Sequence, residues 1–133
     1  MTFDPRYVID TMALIWYLTD DKKLSAKAST LFEAAEQGTI QLVIPAIVIA
    51  ELYYADKKWK LFDDFNQVYR EMRAKPYYQF IPFEADHVLD FARDERVPEM
   101  HDRIVVGVAK RLGIHLVTSD PAIHKAKAVD VIW

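Results

Sequence analysis

An α/β fold, a three-layer α/β/α sandwich around a central, mostly parallel five-stranded sheet, is what this sequence predicts. Three observations carry that expectation. Short, continuously apolar segments rich in β-branched residues alternate with helical segments along the chain. These apolar runs lack the in–out alternation of a half-solvated sheet, as strands covered on both faces do. At 133 residues and 52% hydrophobic, the chain is long enough to bury a core, and residues 1–133 are expected to form a single domain.

Taken in order, Tyr7–Ile9 is a short β-favouring run. Thr11–Leu18 follows as a helix apolar nearly all round, hence buried or at an interface. Ser25 can cap a helix running to Gln37, with Gly38 placed where a helix end wants positive φ. Ile40–Ile44 is a β-branched strand ended by Pro45, which suits the first turn of the next helix. Trp59, Phe62, Phe65, Tyr69 and Met72 recur at spacings of three and four, which predicts one apolar helical face. Tyr78–Ile81 is a third strand, Glu84–Arg93 a helix, and His101–Leu112 a helix ending at Gly113. His115–Thr118 and Val129–Ile132 complete the set of strands.

Composition excludes several chemistries. With three glycines, at 38, 107 and 113, neither a dinucleotide fingerprint nor a phosphate-cradling P-loop can be written. With no cysteine there is no disulfide scaffold, thiolate zinc site, iron–sulfur cluster or cysteine nucleophile. The apolar stretch Tyr7–Thr19 contains Asp10 and falls short of the roughly 20 residues a membrane span needs. It has no basic leader, so no signal peptide is expected and a cytoplasmic location is. The net charge of −3 argues against a protein that simply coats phosphates.

Four acids stand out. In parallel sheets, ligands bind at the carboxyl ends of strands, where the strand order reverses. Asp10 directly follows the first strand and Asp120 the fourth; each is also a natural helix N-cap, ahead of Thr11 and Pro121. Glu51 is the one charged residue in LVIPAIVIAELYYA, and burying it alone would force protonation or require a partner, for which a cation serves. Asp102 opens the helix His101–Leu112, an ordinary place for a first-turn acid. Together they offer the hard carboxylate oxygens, drawn from several elements, that Mg²⁺ or Mn²⁺ prefers.

The segments VIDTMALIW (8–16), IPAIVIAEL (44–52), HDRIVV (101–106) and LVTSD (116–120), with the order and spacing of their acids, resemble the PIN-domain family, most closely the VapC-like toxin nucleases. The resemblance spans essentially the whole chain. It implies a PIN-like fold and a divalent-metal-dependent endoribonuclease, in which Asp10, Glu51, Asp102 and Asp120 are the catalytic and metal-binding acids for one or two Mg²⁺ or Mn²⁺ ions. Thr11 and Thr118 would supply hydroxyls behind them. It further implies a single-stranded or looped RNA substrate cut to a 5′-phosphate and a 3′-hydroxyl, and a VapB-type antitoxin partner. Met12 departs from the His often found there, which bears on substrate contacts, and Glu99 adjoins the site as a further acid.

The run Lys57-Lys58-Trp59-Lys60, with Arg70, Arg73 and Lys75 beyond it, could contact the RNA backbone and stack on bases, or form a solvated face beside an aromatic core stripe. Surplus apolar surface on Thr11–Leu18 and Trp59–Met72 suggests a homodimer. Rival readings are metal-independent cleavage by a pair among His87, His101, His115 and His124, and a PIN-like RNA-binding or scaffold module without catalysis. A phosphoacceptor receiver domain fits less well: it needs paired acids after the first strand and a lysine after the fifth, and here Asp10 follows the first strand alone. Removing the four acids from a net −3 leaves +1, so the acidity is largely that of the expected site.

Overall fold

A computed structural model describes residues 5–133. The chain runs β1 (Arg6–Ile9), α1 (Thr11–Leu18), α2 (Ala26–Glu36), β2 (Gln41–Pro45), α3 (Ala46–Trp59), α4 (Phe65–Ala74), β3 (Tyr78–Ile81), a 3₁₀ helix (Ala85–Asp94), α5 (Met100–Leu112), β4 (Leu116–Val117), α6 (Pro121–Ala126) and β5 (Val131–Ile132). The five strands form one sheet in the order β3-β2-β1-β4-β5, every pairing parallel. Helices flank the sheet in an α/β/α sandwich.

β1 lies at the centre, with Val8 opposite Val43 of β2 on one side and Leu116 of β4 on the other. Val8, Ile9, Leu42, Val43, Ile44, Leu116 and Val117 are wholly buried, as the unbroken apolar runs predict for strands covered on both faces. Chain order moves outward from β1 through β2 to β3, then returns to the other side of β1 for β4 and β5. The reversal lies between β1 and β4. There the ladder extends past the strands, Asp10 N donating to Val117 O at 3.2 Å, so the residues that end β1 and β4 emerge together.

Most helix ends follow the local chemistry expected of them. Ser25 caps α2 by accepting from Ala28 N at 3.1 Å, and Gly113 closes α5 at φ 67°, a conformation that penalises a Cβ. Pro45 differs from expectation. It is the last residue of β2 and the N-cap of α3, with extended backbone and no side-chain cap, because its lack of an N–H is harmless at that position too.

The continuous helix expected over Trp59–Met72 is two elements. α3 ends at Trp59, Lys60 turns into the left-handed region (φ 53°, ψ 56°), and its N–H closes the helix on Asp56 O at 2.7 Å. Asp64 then caps α4, accepting from Gln67 N at 3.2 Å. Phe62, Phe65 and Met72 pack on the core whereas Trp59 is 50% exposed, so the three-and-four spacing spans a break and Trp59 does not belong to the stripe. The segment expected as a helix over Glu84–Arg93 winds as the tighter 3₁₀ form over Ala85–Asp94. It is held to α5 by polar contacts, Arg111 Nε donating to Asp90 at 2.6 Å and Lys110 Nζ to Asp94 at 2.7 Å, while Val88 and Leu89 face solvent.

In α1, Ala13, Leu14 and Ile15 are buried and Met12, Trp16, Tyr17 and Leu18 pack on the core. The apolar surface of α1 thus packs on the chain's own core, whereas Trp59 stays exposed. No described helix is long and apolar enough to cross a membrane.

Candidate functional site

A cleft of about 590 Å³ opens at the carboxyl ends of β1 and β4, the position the sheet topology favours for a ligand. Asp10, Glu51, Asp102 and Asp120 all line it, although they lie up to 110 residues apart in sequence. Each arrives on a different element. Asp10 ends β1 and caps α1, accepting from Ala13 N at 2.9 Å. Asp120 follows β4 and caps α6, accepting from Ala122 N at 2.8 Å. Glu51 projects from α3 and Asp102 from the first turn of α5. The bland N-cap reading of Asp10 and Asp120 is therefore correct and does not compete with a place in the cleft: one carboxylate does both.

Two hydroxyls orient the acids. Thr118, wholly buried, donates its Oγ1 proton to Asp10 Oδ2 and accepts from Asp120 N at 3.0 Å, linking the ends of β1 and β4. Thr11 Oγ1 donates to Glu51 Oε1 at 2.7 Å. Glu51 itself is less buried than its apolar neighbourhood suggested, with a side chain 33% exposed to the cleft. The apolar residues around it line the core side of α3, where Val48 and Leu52 are buried.

Electrostatics mark the cleft as crowded with negative charge. Burial, reinforced by the charges of Asp120 and Glu51 and opposed by the Thr118 and Ala13 hydrogen bonds, pushes the Asp10 carboxyl up to about 6. Burial, followed by repulsion from Asp120, Glu99 and Glu51, pushes Asp102 up to about 7. Carboxyls held this high are paired with too few cations of the protein's own.

The sequence matches the PIN domain over residues 7–129. The chain belongs to the PIN-domain family. No curated protein matches it. Among solved structures, this PIN domain is similar to FitAcB from Neisseria gonorrhoeae, at 16% identity and a TM-score of 0.69 over 96% of each chain. It is also similar to VapBC2 from Rickettsia felis bound to a DNA fragment from their promoter, at 16% identity and 0.67 over 96% of this chain and 97% of that one. A toxin–antitoxin complex from Klebsiella pneumoniae gives 18% identity and 0.65 over 96% of each chain. At these identities the likeness establishes the fold.

As a donor set, four carboxylates and no sulfur suit a hard divalent cation, and the raised proton affinities of Asp10 and Asp102 are what an ion would relieve. Among the described residues, no three His, Asp or Glu side chains are already drawn into a cation-ready arrangement.

The cleft also gathers residues that the sequence raised for other reasons, namely Met12, Lys58, Trp59, Glu99 and His101, together with Tyr54 and Ser119, which it did not single out. His101 Nδ1 lies 3.5 Å from Glu51 Oε2 and 3.7 Å from Glu99 Oε1, and Glu99 caps α5 through Asp102 N at 2.9 Å. Met12, Tyr54, Lys58, Trp59 and Ser119 also line the cleft. The helical spacing of Tyr54, Lys58 and Trp59 from Glu51 was the available signal. His101 is the one histidine among the cleft-lining residues. His124 Nε2 donates to Thr118 O at 2.7 Å and His87 accepts from Glu84 N at 3.0 Å, both in structural roles, so a two-histidine mechanism has no second member here. Arg73 lies over Phe80, 4.7 Å from its ring centroid, and is not among the residues of the cleft.

Proposed function

We propose that this PIN domain is a Mg²⁺- or Mn²⁺-dependent endoribonuclease that hydrolyses RNA phosphodiester bonds, and that it acts as the toxin of a toxin–antitoxin pair. The observation that carries the nuclease reading is the convergence of Asp10, Glu51, Asp102 and Asp120, from four elements, on one cleft at the strand-order reversal. These four would hold the ion. When bound, it supplies activation of water and neutralisation of charge developing on the phosphate. Thr118 fixes the orientation of Asp10, and Thr11 that of Glu51, so both acids are aimed before any ligand arrives.

The toxin reading, with a VapB-type antitoxin, is supported by likeness to complexes described as VapBC2, FitAcB and a toxin–antitoxin pair. Its test is co-expression with the protein encoded beside it, followed by co-purification and recovery of cell growth. The nuclease reading is tested with Asp10→Asn and Asp102→Asn. Cleavage of single-stranded RNA in Mg²⁺ or Mn²⁺ should vanish in each while far-UV circular dichroism is unchanged, and EDTA should abolish wild-type cleavage. Undiminished turnover by either folded variant would sink the assignment. A second reading is an RNA-binding module without catalysis, for which the exposed Tyr54, Lys58 and Trp59 of the cleft would suffice. It prevails if the wild type binds RNA yet fails to cut it whichever divalent ion is supplied.

A further inference from the structure

The α3 side of the cleft carries, beyond Glu51, chemistry that hydrolysis does not use. Tyr54, Ala55, Lys58 and Trp59 line it from α3, at offsets of three, four, seven and eight from Glu51, the spacing of a single helix face. At roughly 1.5 Å of rise per residue, Trp59 stands about 12 Å along the helix axis from Glu51. One face therefore leads from a candidate acid through an aromatic and a cation to a second aromatic.

These rings are exposed to an unusual degree. Tyr54 is 69% and Trp59 50% exposed, whereas Trp16 and Trp133 pack on the core and against each other, centroids 5.7 Å apart. The cations beside them are free of acids: among the described residues Lys57, Lys58 and Lys60 are in no ion pair. Asp56, the nearest carboxylate in sequence, is engaged by Phe62 N at 2.8 Å. Lys58 Nζ instead lies 5.4 Å from the Trp59 ring centroid and Lys57 Nζ 5.3 Å from that of Tyr53. Because Lys60 turns α3 off immediately after Trp59, the indole stands at the open end of the helix.

We infer that Tyr54 and Trp59, with Lys58 between them, form a nucleobase-stacking subsite that takes an unpaired base of the RNA beside the four acids. A base within a duplex has both faces covered and cannot lie on an indole; a splayed single-stranded base can, with its phosphate reaching the lysine. The interleaving of aromatics with unpaired cations favours a polyanion over an apolar peptide, which would be matched by an apolar wall without lysines. The inference rests on the nuclease reading for its substrate but stands on residues outside the four acids.

The test is equilibrium binding by fluorescence anisotropy to the Asp10→Asn protein in Mg²⁺, with and without Trp59→Ala or Trp59→Phe. The probes are a fluorescein-labelled single-stranded oligoribonucleotide, the same strand in a duplex, and an abasic oligomer of equal length and charge. Trp59→Ala is expected to weaken binding to the single strand by about 5- to 150-fold. Trp59→Phe should restore most of that loss, and binding to the abasic oligomer should not change. Tyr54→Ala is the second variant, and circular dichroism verifies the fold of each. Equal single-strand affinities with and without Trp59, or an equal loss on the abasic oligomer, overturn the subsite. Trp59-dependent binding by a wild type that never cleaves sinks the nuclease reading and leaves the subsite standing. Unchanged RNA binding and cleavage, with loss of a co-expressed antitoxin, would make the wall a protein-docking surface and overturn the inference.

Discussion

Asp10→Asn should make the metal-free protein more stable, and only above acidic pH. Its carboxyl moves from an ordinary 3.8 to about 6 on folding, chiefly through burial. The folded chain thus holds that proton more tightly than the unfolded chain does. The cost of ionising it in place is absent below about pH 3.8, grows as the pH rises, and is complete above about 6. That gap corresponds to about 3 kcal/mol. Asparagine removes the charge and keeps an oxygen for Ala13 N, and the contact with Thr118 is already counted in that gap. The whole gap is the expected gain, or about 10 °C in Tm for a domain of this size. Thermal melts in EDTA at pH 4 and pH 7.5 measure it. The variant should melt near the wild type at pH 4 and well above it at pH 7.5. A gain of equal size at both, or a loss at pH 7.5, refutes the account of why this carboxyl is raised.

Further expectations follow from the same contacts. Cation binding must displace protons from Asp10 and Asp102, raised to about 6 and about 7, so Mn²⁺ affinity should climb between pH 5.5 and 7.5 and then level off; calorimetry in two buffers of different ionisation enthalpy reads the released protons. Thr118→Val removes a buried donor to Asp10 and the acceptor for Asp120 N; it should cost about 1–3 kcal/mol in urea unfolding and reduce cleavage, with Thr118→Ser retaining most of both. Lys110→Met leaves Asp94, 1% exposed and with Oδ2 unpartnered, without its cation; unfolding should be easier by about 3 kcal/mol and largely recover with Asp94→Leu added. Gly107→Ala brings a Cβ to 3.0 Å from Asp90 Oδ2, which Arg111 holds in place, so the variant should lose stability in denaturant despite the roughly 1 kcal/mol helix-propensity advantage of alanine.

The sheet was legible because its signal is local. Val8-Ile9, Leu42-Val43-Ile44 and Leu116-Val117 are apolar on both faces, and that pattern admits few alternatives to a buried parallel sheet. The break after Trp59 was not, because periodicity carries through it: Phe62 and Phe65 keep the spacing while the backbone has already turned at Lys60, a residue with no glycine-like preference for that turn. The winding of Ala85–Asp94 depends on Arg111 and Lys110, about 20 residues downstream, which no local window contains. Asp10 and Asp120 could be located from their place after strands, since topology alone sends those ends to the same edge. Glu51 was singled out for its apolar neighbours, but those neighbours mark the core side of α3 while Glu51 faces outward. His101 and Trp59 gave no comparable signal, because their roles depend on the approach of α3 and α5.

The two acids that both follow a strand and cap the start of a helix, Asp10 on α1 and Asp120 on α6, give the architecture an uneven tolerance to change. Asparagine at either position still accepts the backbone N–H that starts the helix, whereas alanine forfeits it. On the proposed nuclease reading, one amide substitution would therefore silence the cleft and leave the scaffold whole. Descendants of such a chain that survive as folded binders are expected to carry Asn or Ser where this one has Asp. Loss of chemistry would be written at those two positions long before any loss of shape.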